Sequence, residues 1–272
     1  MSPKPFKRPA RRRLVLTGAS VLLATGALLG TLRAQENELV IPWQMGPSVV
    51  ELADVGQITV PAGCRFIDAK WTQILLEWME ETINGNEIGF LAPNDNEAAW
   101  FVIFEFSETG HVSDDEKNCL DRDAILTSIR KETQDNNLNW ERSPQYNEQT
   151  RHLQWAVRTE RNELPVVNYN THFLGRTGVM EINLVTSPAD LASSLRVFRS
   201  LLSAYSYLPG KRYSEFHQDD EIAQFGLSAL ITSGAAAVPI KTGLMQHLWK
   251  FLVAGLVGTG AFFKSLYGGS NG

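Results

Sequence analysis

The feature that most constrains this 272-residue chain is an apolar block near its C-terminus, residues 222–263, which contains no acidic residue. Its first part, residues 222–240, carries no formal charge, and a helix of that length covers about 28 Å of hydrocarbon. A proline, a lysine and a glycine then interrupt the block before a second apolar stretch, residues 244–263. We therefore predict that residues 222–272 are a membrane anchor, formed either by one transmembrane helix or by a helical hairpin.

The first 34 residues predict an export signal. They hold seven of the 25 basic residues and no acid, and an apolar run at 14–32 follows the basic stretch. The alternatives to a signal cleaved after Ala34 are an uncleaved signal anchor and a twin-arginine signal using Arg11-Arg12-Arg13. With the anchor, this signal predicts a bacterial inner-membrane protein whose residues 35–221 lie on the periplasmic side.

Residues 35–221 have the length of one domain with its own core. They contain all 30 acidic residues but only 15 of the 25 basic ones. Because an acidic body offers no electrostatic surface to nucleic acid, we expect no nucleic-acid partner. The partners that we expect are membrane lipid, contacted through residues 222–263, and a protein of the cell envelope.

Hydrophobic periodicity in the first part of the body predicts short strands at 49–52, 57–60 and 88–91 and helices capped by Asp68 and Asp121. The stretch 100–106, WFVIFEF, is apolar on both faces, which predicts a central strand covered on both sides. After the second helix, we expect a loop that contains Trp140, Pro144 and Tyr146.

Three alternating segments in the second part of the body predict a meander of antiparallel strands. Their apolar members are Leu153, Trp155 and Val157, then Val167, Tyr169, Thr171 and Phe173, then Met180, Ile182 and Leu184. Ser187-Pro188 then predicts the start of a helix, and the apolar residues along one side of this helix would cover the apolar face of the meander. The predicted fold class is therefore α+β, an antiparallel, sandwich-like sheet with helices packed on it, plus the C-terminal membrane helix or hairpin.

Several stretches in this order resemble a family of bacterial membrane-anchored proteins of unknown function. They are Val60-Pro61-Ala62-Gly63-Cys64-Arg65-Phe66-Ile67, residues 100–105, Gly110 with Asp114-Asp115, Pro144 with Tyr146, His152-Leu153-Gln154-Trp155-Ala156, Val167-Asn168-Tyr169-Asn170, Leu174-Gly175-Arg176-Thr177-Gly178-Val179 and Gly210-Lys211-Arg212-Tyr213. The resemblance implies an exported body followed by a C-terminal membrane anchor, and it implies no established activity. The order of elements is also similar to that of the photosystem-associated and Ran-binding sandwich folds. This similarity of pattern implies no function.

The polar members of the meander form the candidate binding face, because they can all point one way if the strands pair in simple register. They are His152, Arg158, Asn168, Asn170, His172, Glu181 and Asn183. Two imidazoles beside a carboxylate suit metal binding or acid and base catalysis. The alternative is an ordinary water-facing side of an antiparallel sheet, although asparagine is depleted in strands.

Other chemical signals are weaker. Cys64 and Cys119 leave a disulfide open, since two cysteines alone do not define a framework. The acidic loop 107–120 lacks the spacing of a calcium site and is interpreted as a solvated turn. Arg176, at the tip of a glycine turn, could contact an anionic partner. The sequence shows no catalytic or metal-binding motif, and we predict no cofactor.

The first functional hypothesis is a non-enzymatic interaction or binding module of the cell envelope, held to the inner membrane. The alternative is an anchored hydrolase or metal-dependent enzyme built on His152, His172 and Glu181. A third hypothesis is that the small residues of the tail assemble with another membrane protein and that the body is regulatory.

Overall fold

The computed structural model describes residues 41–78, 81, 83–95, 98, 100–159 and 165–232 of the chain. These residues form two antiparallel sheets and four α-helices. The strands are β1 (Gln44–Met45), β2 (Ser48–Leu52), β3 (Gly56–Val60), β4 (Cys64–Asp68), β5 (Glu87–Pro93), β6 (Trp100–Ser107), β7 (Asn139–Asn147), β8 (His152–Thr159), β9 (Val166–Leu174), β10 (Val179–Thr186) and β11 (Ser206–Tyr207). The helices are α1 (Ala69–Trp78), α2 (Arg122–Thr133), α3 (Leu191–Ser203) and α4 (Leu227–Thr232).

The larger sheet has eight strands in the order β1-β4-β5-β6-β10-β9-β8-β7, and the smaller has the order β11-β3-β2. All pairings are antiparallel, and β8, β9 and β10 form a continuous meander. The α+β class and its antiparallel sheets agree with the sequence prediction.

One face of the large sheet packs under the small sheet and α3. Val102 and Phe104 of β6 and Ile182 of β10 meet Ile58 of β3 and Phe198 of α3 in this cluster. These side chains are fully buried. We call this side the inner face, because it forms the main core.

The opposite face, called the outer face, carries two separate apolar clusters. The first joins Ile103 and Val185 of the sheet to Leu75 and Leu76 of α1. The second includes Leu153, Trp155 and Val157 of β8 together with α2 and α4. Polar side chains of β6, β9 and β10 lie between the two clusters.

Several local predictions are confirmed. β6 is buried along its whole length and lies in the interior of the eight-stranded sheet. The backbone N–H of Trp71 donates to Asp68 Oδ1 at 3.1 Å, and that of Ala124 donates to Asp121 Oδ1 at 3.0 Å, so both predicted caps form.

The predicted loop around Trp140, Pro144 and Tyr146 is wrong, because these residues belong to β7. β7 is the last strand of the large sheet, and its register with β8 shifts twice. An edge strand with such irregularities tolerates proline, since one side of the strand needs no ladder hydrogen bonds. This is why the segment lacks the clean alternation of an internal strand.

The C-terminal part of the described chain corrects the predicted span 222–240. Leu227, Leu230 and Ile231 of α4 are buried in the outer-face cluster with α2, so residues 227–232 are part of the folded domain. Within the described residues, which end at Thr232, no helix combines the length and apolarity needed to cross a membrane. The rest of the predicted anchor, residues 233–272, and the predicted signal, residues 1–34, lie outside the described residues.

Candidate functional site

The candidate site is a row of polar side chains on the outer face, between its two apolar clusters. Register fixes its members: Glu105 of β6 faces Glu181 of β10, which faces His172 of β9, and Asn183 faces Asn170. We define the polar strip as Glu105, Ser107, Asn168, Asn170, His172, Glu181 and Asn183. Because residues i and i+2 of a strand share a face, three residues of β9 and two of β10 project to the same side.

His172 and Glu181 form the centre of the polar strip. The imidazole Nε2 lies 3.3 Å from Glu181 Oε2, and Ser107 Oγ donates to Glu181 Oε1 at 2.7 Å. His172 is 3 % exposed, and Trp155 packs edge-on against its ring with centroids 4.6 Å apart. Burial lowers the pKa of His172, with partial opposition from the Glu181 charge, so the ring is neutral at neutral pH.

Glu105 continues the polar strip in a buried position. Burial, reinforced by the charge of Glu181 across the strand pair, raises the pKa of Glu105 to about 8, while a hydrogen bond with the Asn183 side chain opposes the shift. Glu105 is therefore mostly protonated at pH 7. Its other cross-strand neighbour is Glu87, whose carboxylate accepts the backbone N–H groups of Asn84 and Gly85. Glu87 thus stabilises a turn.

Three acceptor atoms in the polar strip have no hydrogen-bond partner among the described residues. They are Asn168 Oδ1, Asn183 Oδ1 and His172 Nδ1, and all three atoms are buried. The proximity of His172 Nε2 to Glu181 favours the tautomer with its proton on Nε2, which leaves Nδ1 as an acceptor. Buried acceptors without partners cost stability, so this cluster identifies the polar strip as a candidate ligand site.

Two residues of the predicted binding face lie on the other side of the sheet, which corrects that prediction. His152 faces Phe173 in the β8–β9 register and packs on its ring with centroids 5.0 Å apart. Arg158 faces Val167 on the same inner side and pairs with Glu141 at 2.6 Å. The other five, Asn168, Asn170, His172, Glu181 and Asn183, share the outer face.

The physical reason is the register of β8. Leu153 faces His172 and Trp155 faces Asn170, so the apolar residues of β8 share a face with the polar residues of β9. The three strands therefore do not form one apolar and one water-facing side, and the polar strip is largely covered by its apolar neighbours. The carboxylate of Glu105 was missed because β6 is otherwise apolar; a lone acid inside a fully apolar strand was the available signal.

The order of contacts limits the chemistry of the polar strip. The carboxylate of Glu181 lies between Ser107 and His172, whereas an activated serine requires the imidazole to contact the hydroxyl. The set of His152, His172 and Glu181 is not assembled, because His152 lies on the inner face. No group of three or more histidine, cysteine, aspartate or glutamate residues is arranged to hold a metal ion in the part of the chain that the structure describes.

A second polar cluster lies at the end of the sheet where the C-terminal segment leaves it. We define the clasp as His111, Asp114, Tyr146, Arg151, Arg176, Tyr213 and Asp220. Asp114 Oδ2 accepts hydrogen bonds from Tyr146 Oη at 3.0 Å and from the Arg151 guanidinium. Arg151 also lies over the ring of Tyr213, 5.1 Å from its centroid. The acidic loop is thus tied to β7 and to the turn before β8, which corrects its interpretation as a solvated turn.

Arg176 and Asp220 form the other half of the clasp. Two nitrogens of Arg176 donate to the two carboxylate oxygens of Asp220 at 2.7 and 2.8 Å. Hydrogen bonds from Arg176, then from the His217 backbone, lower the pKa of Asp220 to about 2. Arg176 is therefore committed to an internal pair, and the suggestion that it contacts an anionic partner is not supported.

His111 connects the clasp to the C-terminal segment. The centroid of its ring lies 4.2 Å from the ring centroids of Tyr213 and Phe216. Its backbone N–H donates to the Glu221 carbonyl oxygen, and its carbonyl oxygen accepts from the Ala223 N–H. Gly110 precedes it at φ +81°, where a Cβ would lie 2.8 Å from the Glu221 carbonyl oxygen. Only glycine fits this approach without strain. Gly110, Asp114, Tyr146, Arg176 and Tyr213 all come from stretches on which the family resemblance rests.

The two cysteines are free in the structure, so the disulfide that the sequence left open is not formed. Cys64 is buried in β4, and burial raises the pKa of its thiol to about 11. Cys119 is exposed after the short 3₁₀ helix Asp115–Asn118.

Fold and site together define a sheet-rich α+β domain with a buried polar strip and a clasped C-terminal segment. The family model described as protein of unknown function, DUF2167, matches residues 44–262, which is more than half of the chain. The chain therefore belongs to this family. A comparison with curated proteins finds no match.

Solved structures with detectable similarity include the cyanobacterial PsbP (CyanoP) from Synechocystis sp. PCC 6803, at 10 % identity and a TM-score of 0.32 over 60 % of this chain and 94 % of that one. LpqN of Mycobacterium tuberculosis, involved in cell envelope biogenesis, is 9 % identical, with a TM-score of 0.36 over 60 % and 86 %. PA94 of Pseudomonas aeruginosa, a protein of unknown function, is 9 % identical, with a TM-score of 0.29 over 60 % and 97 %. At these TM-scores, the similarities carry no conclusion about this chain.

Proposed function

We propose that the protein is a non-enzymatic binding module of the bacterial cell envelope that uses the polar strip as its binding site. The observation that carries the proposal is the set of three buried acceptor atoms without partners among the described residues, Asn168 Oδ1, Asn183 Oδ1 and His172 Nδ1. A bound donor group would remove the cost of leaving these atoms unpaired.

The contacts in the polar strip favour binding over catalysis. Glu181 accepts a hydrogen bond from the Ser107 hydroxyl and contacts the His172 imidazole. Because the carboxylate lies between them, the imidazole is not positioned to activate the hydroxyl as a nucleophile. The second candidate is an acid and base role for the His172–Glu181 pair, whose 3.3 Å contact is compatible with proton transfer. Hydrolysis of a bound ligand that is lost in His172→Gln would favour this candidate.

The proposal also includes an exported body and a C-terminal anchor, with residues 35–232 on the periplasmic side of the inner membrane. Since residues 227–232 form α4 on the domain, only eight residues of the predicted span 222–240 remain beyond it, which is too short to cross. Residues 244–263, which contain His247 and Lys250 and are followed by Lys264, are then the stretch that we propose for the crossing. A single outward-to-inward crossing places Gly272 in the cytoplasm.

Topology reporters test the anchor. A reporter fused after Thr232 should be active on the periplasmic side, and the same reporter fused after Gly272 of the full chain should be cytoplasmic. An outward-facing reporter at Gly272 would establish a hairpin or the absence of a crossing. Cytoplasmic activity of the Thr232 fusion would refute export of the body.

Site-specific photo-crosslinking in intact cells tests the binding site. A photoreactive side chain replaces half-buried Asn170 in the polar strip, and the matched control replaces Ser193, an exposed residue of α3. We expect an adduct at position 170 that weakens when Asn168→Leu is added, and no adduct at position 193. Equal adducts at both positions, or none at either, would refute the polar strip as the binding site.

A further inference from the structure

Helix α1 presents apolar side chains to solvent as well as to the sheet. Leu75 and Leu76 are buried against the large sheet. Trp71, Ile74 and Trp78 lie three and four residues apart, so they form a second apolar row along the side of the helix. Trp71 and Ile74 are half-buried, and Trp78 is 43 % exposed. We call these three residues the apolar ridge.

The composition of the apolar ridge fits a membrane surface. Single exposed apolar residues are normal on a soluble domain, whereas a row of three large ones marks an interaction surface. Trp43 is half-buried and packs against the same outer-face cluster as Trp71, so a third tryptophan lies at this edge of the domain. Tryptophan is enriched at membrane–water interfaces, because its ring is apolar and its indole N–H is polar.

Both ends of the described domain lie on the outer face, as the apolar ridge does. Ile41, the first described residue, belongs to the cluster under α1, and α4, which ends at Thr232, packs in the other outer-face cluster. In the sequence, residues 33–40 connect Ile41 to the apolar run 14–32, and residues 233–243 connect Thr232 to the apolar stretch 244–263. At about 3.5 Å per residue, these connections reach at most about 28 and 38 Å. Either apolar stretch, once in a membrane, therefore tethers the domain by its outer face.

The charge of the outer-face helices suits a lipid surface better than the charge of the body does. With their N-cap residues, α1 and α2 carry four basic and five acidic side chains, close to balance. Residues 35–221 as a whole carry 15 basic and 30 acidic ones. Lys70 is exposed beside the apolar ridge, with its ammonium 5.9 Å from the centroid of the Trp71 ring. A lysine beside an interfacial aromatic ring is a common membrane anchor.

We propose that the outer face of the domain lies on the membrane surface, with Trp71, Ile74 and Trp78 of α1 in the interfacial region of the bilayer. This contact is distinct from the predicted transmembrane segment, because it orients the domain and does not cross the bilayer. The inference rests on the membrane anchor in the proposed function, and it does not use the unpaired atoms of the polar strip.

Fluorescence quenching by lipids tests the inference on the full chain reconstituted into vesicles. A bimane label is attached to Glu77→Cys, at an exposed position of α1, or to the control Ser193→Cys, at an exposed position of α3 on the opposite side of the domain. Cys119→Ser removes the exposed native thiol from both proteins, and Cys64 is buried. The vesicles contain phosphatidylethanolamine, phosphatidylglycerol and a lipid with a doxyl quencher near its headgroup.

The label on α1 should be quenched at least about twofold more strongly than the label on α3, because only α1 lies at the bilayer surface. Equal quenching at the two positions, or stronger quenching at position 193, would overturn the inference.

Variants link the quenching to the apolar ridge. Trp78→Glu places a charge at the most exposed position of the ridge and should lower the quenching at position 77 to near that at position 193. Val49→Glu is the matched control, at a residue of the small sheet that is 67 % exposed, and it should change nothing. If melting curves show that Trp78→Glu unfolds, Lys70→Glu replaces it and should weaken quenching on these anionic vesicles. Unchanged quenching in the folded variant would overturn the assignment to α1.

The inference and the proposed anchor fail separately. Alkaline carbonate strips peripheral proteins from vesicles, whereas an inserted segment keeps the full chain bound. If the chain resists carbonate and both labels are quenched equally, the anchor stands and the contact through the outer face is wrong. If carbonate removes the chain but position 77 is still preferentially quenched at neutral pH, the contact stands and the anchor is wrong. Crosslinking at position 170 tests the polar strip independently of both.

Discussion

The polar strip and the clasp are both rich in polar residues, yet their groups are satisfied to different degrees. In the clasp, Asp114 has two donors, Tyr146 and Arg151, and both oxygens of Asp220 accept from Arg176. In the polar strip, three buried acceptor atoms have no partner among the described residues. Polarity alone therefore does not mark a functional site.

The difference in hydrogen-bond pairing distinguishes a structural role for the clasp from a binding role for the polar strip. A paired network stabilises and orients the segments that it joins, here the acidic loop, the glycine turn and the C-terminal segment. A buried group without a partner costs stability, and it persists where another requirement maintains it. The clasp is accordingly interpreted as structural, and the polar strip as the candidate for function.

The first expected effect concerns Glu105, because the burial of this acid should destabilise the fold when the carboxyl group is ionised. Its pKa of about 8 in the fold lies above the ordinary value of 4.5, so the fold prefers the protonated form. The native protein then loses stability as the pH rises from about 4.5 through about 8, whereas Glu105→Gln does not. We expect the variant to gain about 3 kcal/mol in unfolding free energy at pH 7 relative to pH 4, at about 1.4 kcal/mol per pKa unit.

Denaturant unfolding of both proteins from pH 4 to pH 9 measures this gain. Glu132→Gln, at an exposed position of α2, is the control and should follow the native protein. A Glu105→Gln variant that tracks the native protein at every pH would show that the polar strip is not destabilised by its buried acid.

The next effect concerns the segment that the clasp holds. Leu227 is fully buried in α4, so Leu227→Ala should lower the unfolding free energy of the domain by about 2–5 kcal/mol. Ile222 belongs to the same predicted span but is 59 % exposed, so Ile222→Ala should change it by less than about 0.5 kcal/mol.

Thermal melting of the full chain in detergent compares the two variants. Equal, small effects of Leu227→Ala and Ile222→Ala would mean that residues 222–232 do not pack on the domain. That result would return them to the predicted membrane span.

The smallest effect compares one hydrogen bond of the clasp with one unpaired atom of the polar strip. Tyr146→Phe removes one of the two hydrogen-bond donors to Asp114 and should cost about 1 kcal/mol. Asn168→Leu removes an acceptor that has no partner in the described structure, so it should stay within about 0.5 kcal/mol of the native protein or exceed it. A larger loss for Asn168→Leu would reverse the interpretation of the two regions.

The sequence determined the features that depend on local pattern. The caps at Asp68 and Asp121 need only a side chain and the next turn of backbone, and β6 is identified by an apolar run. The alternation in β8, β9 and β10 likewise predicted the meander. Of the seven residues that this alternation named for the candidate site, five share the outer face, because residues two apart share a face within one strand.

Tertiary structure decided what lies between strands and between distant segments. The register of β8 against β9 places Leu153 beside His172 and moves His152 and Arg158 to the inner face, and alternation within a strand does not encode that register. Packing also decided that residues 227–232 belong to the folded domain. Composition could not decide this, because an apolar helix has the same composition in a protein core as in a membrane. The clasp joins residues more than 100 positions apart, so only the folded chain brings His111, Arg176 and Tyr213 together.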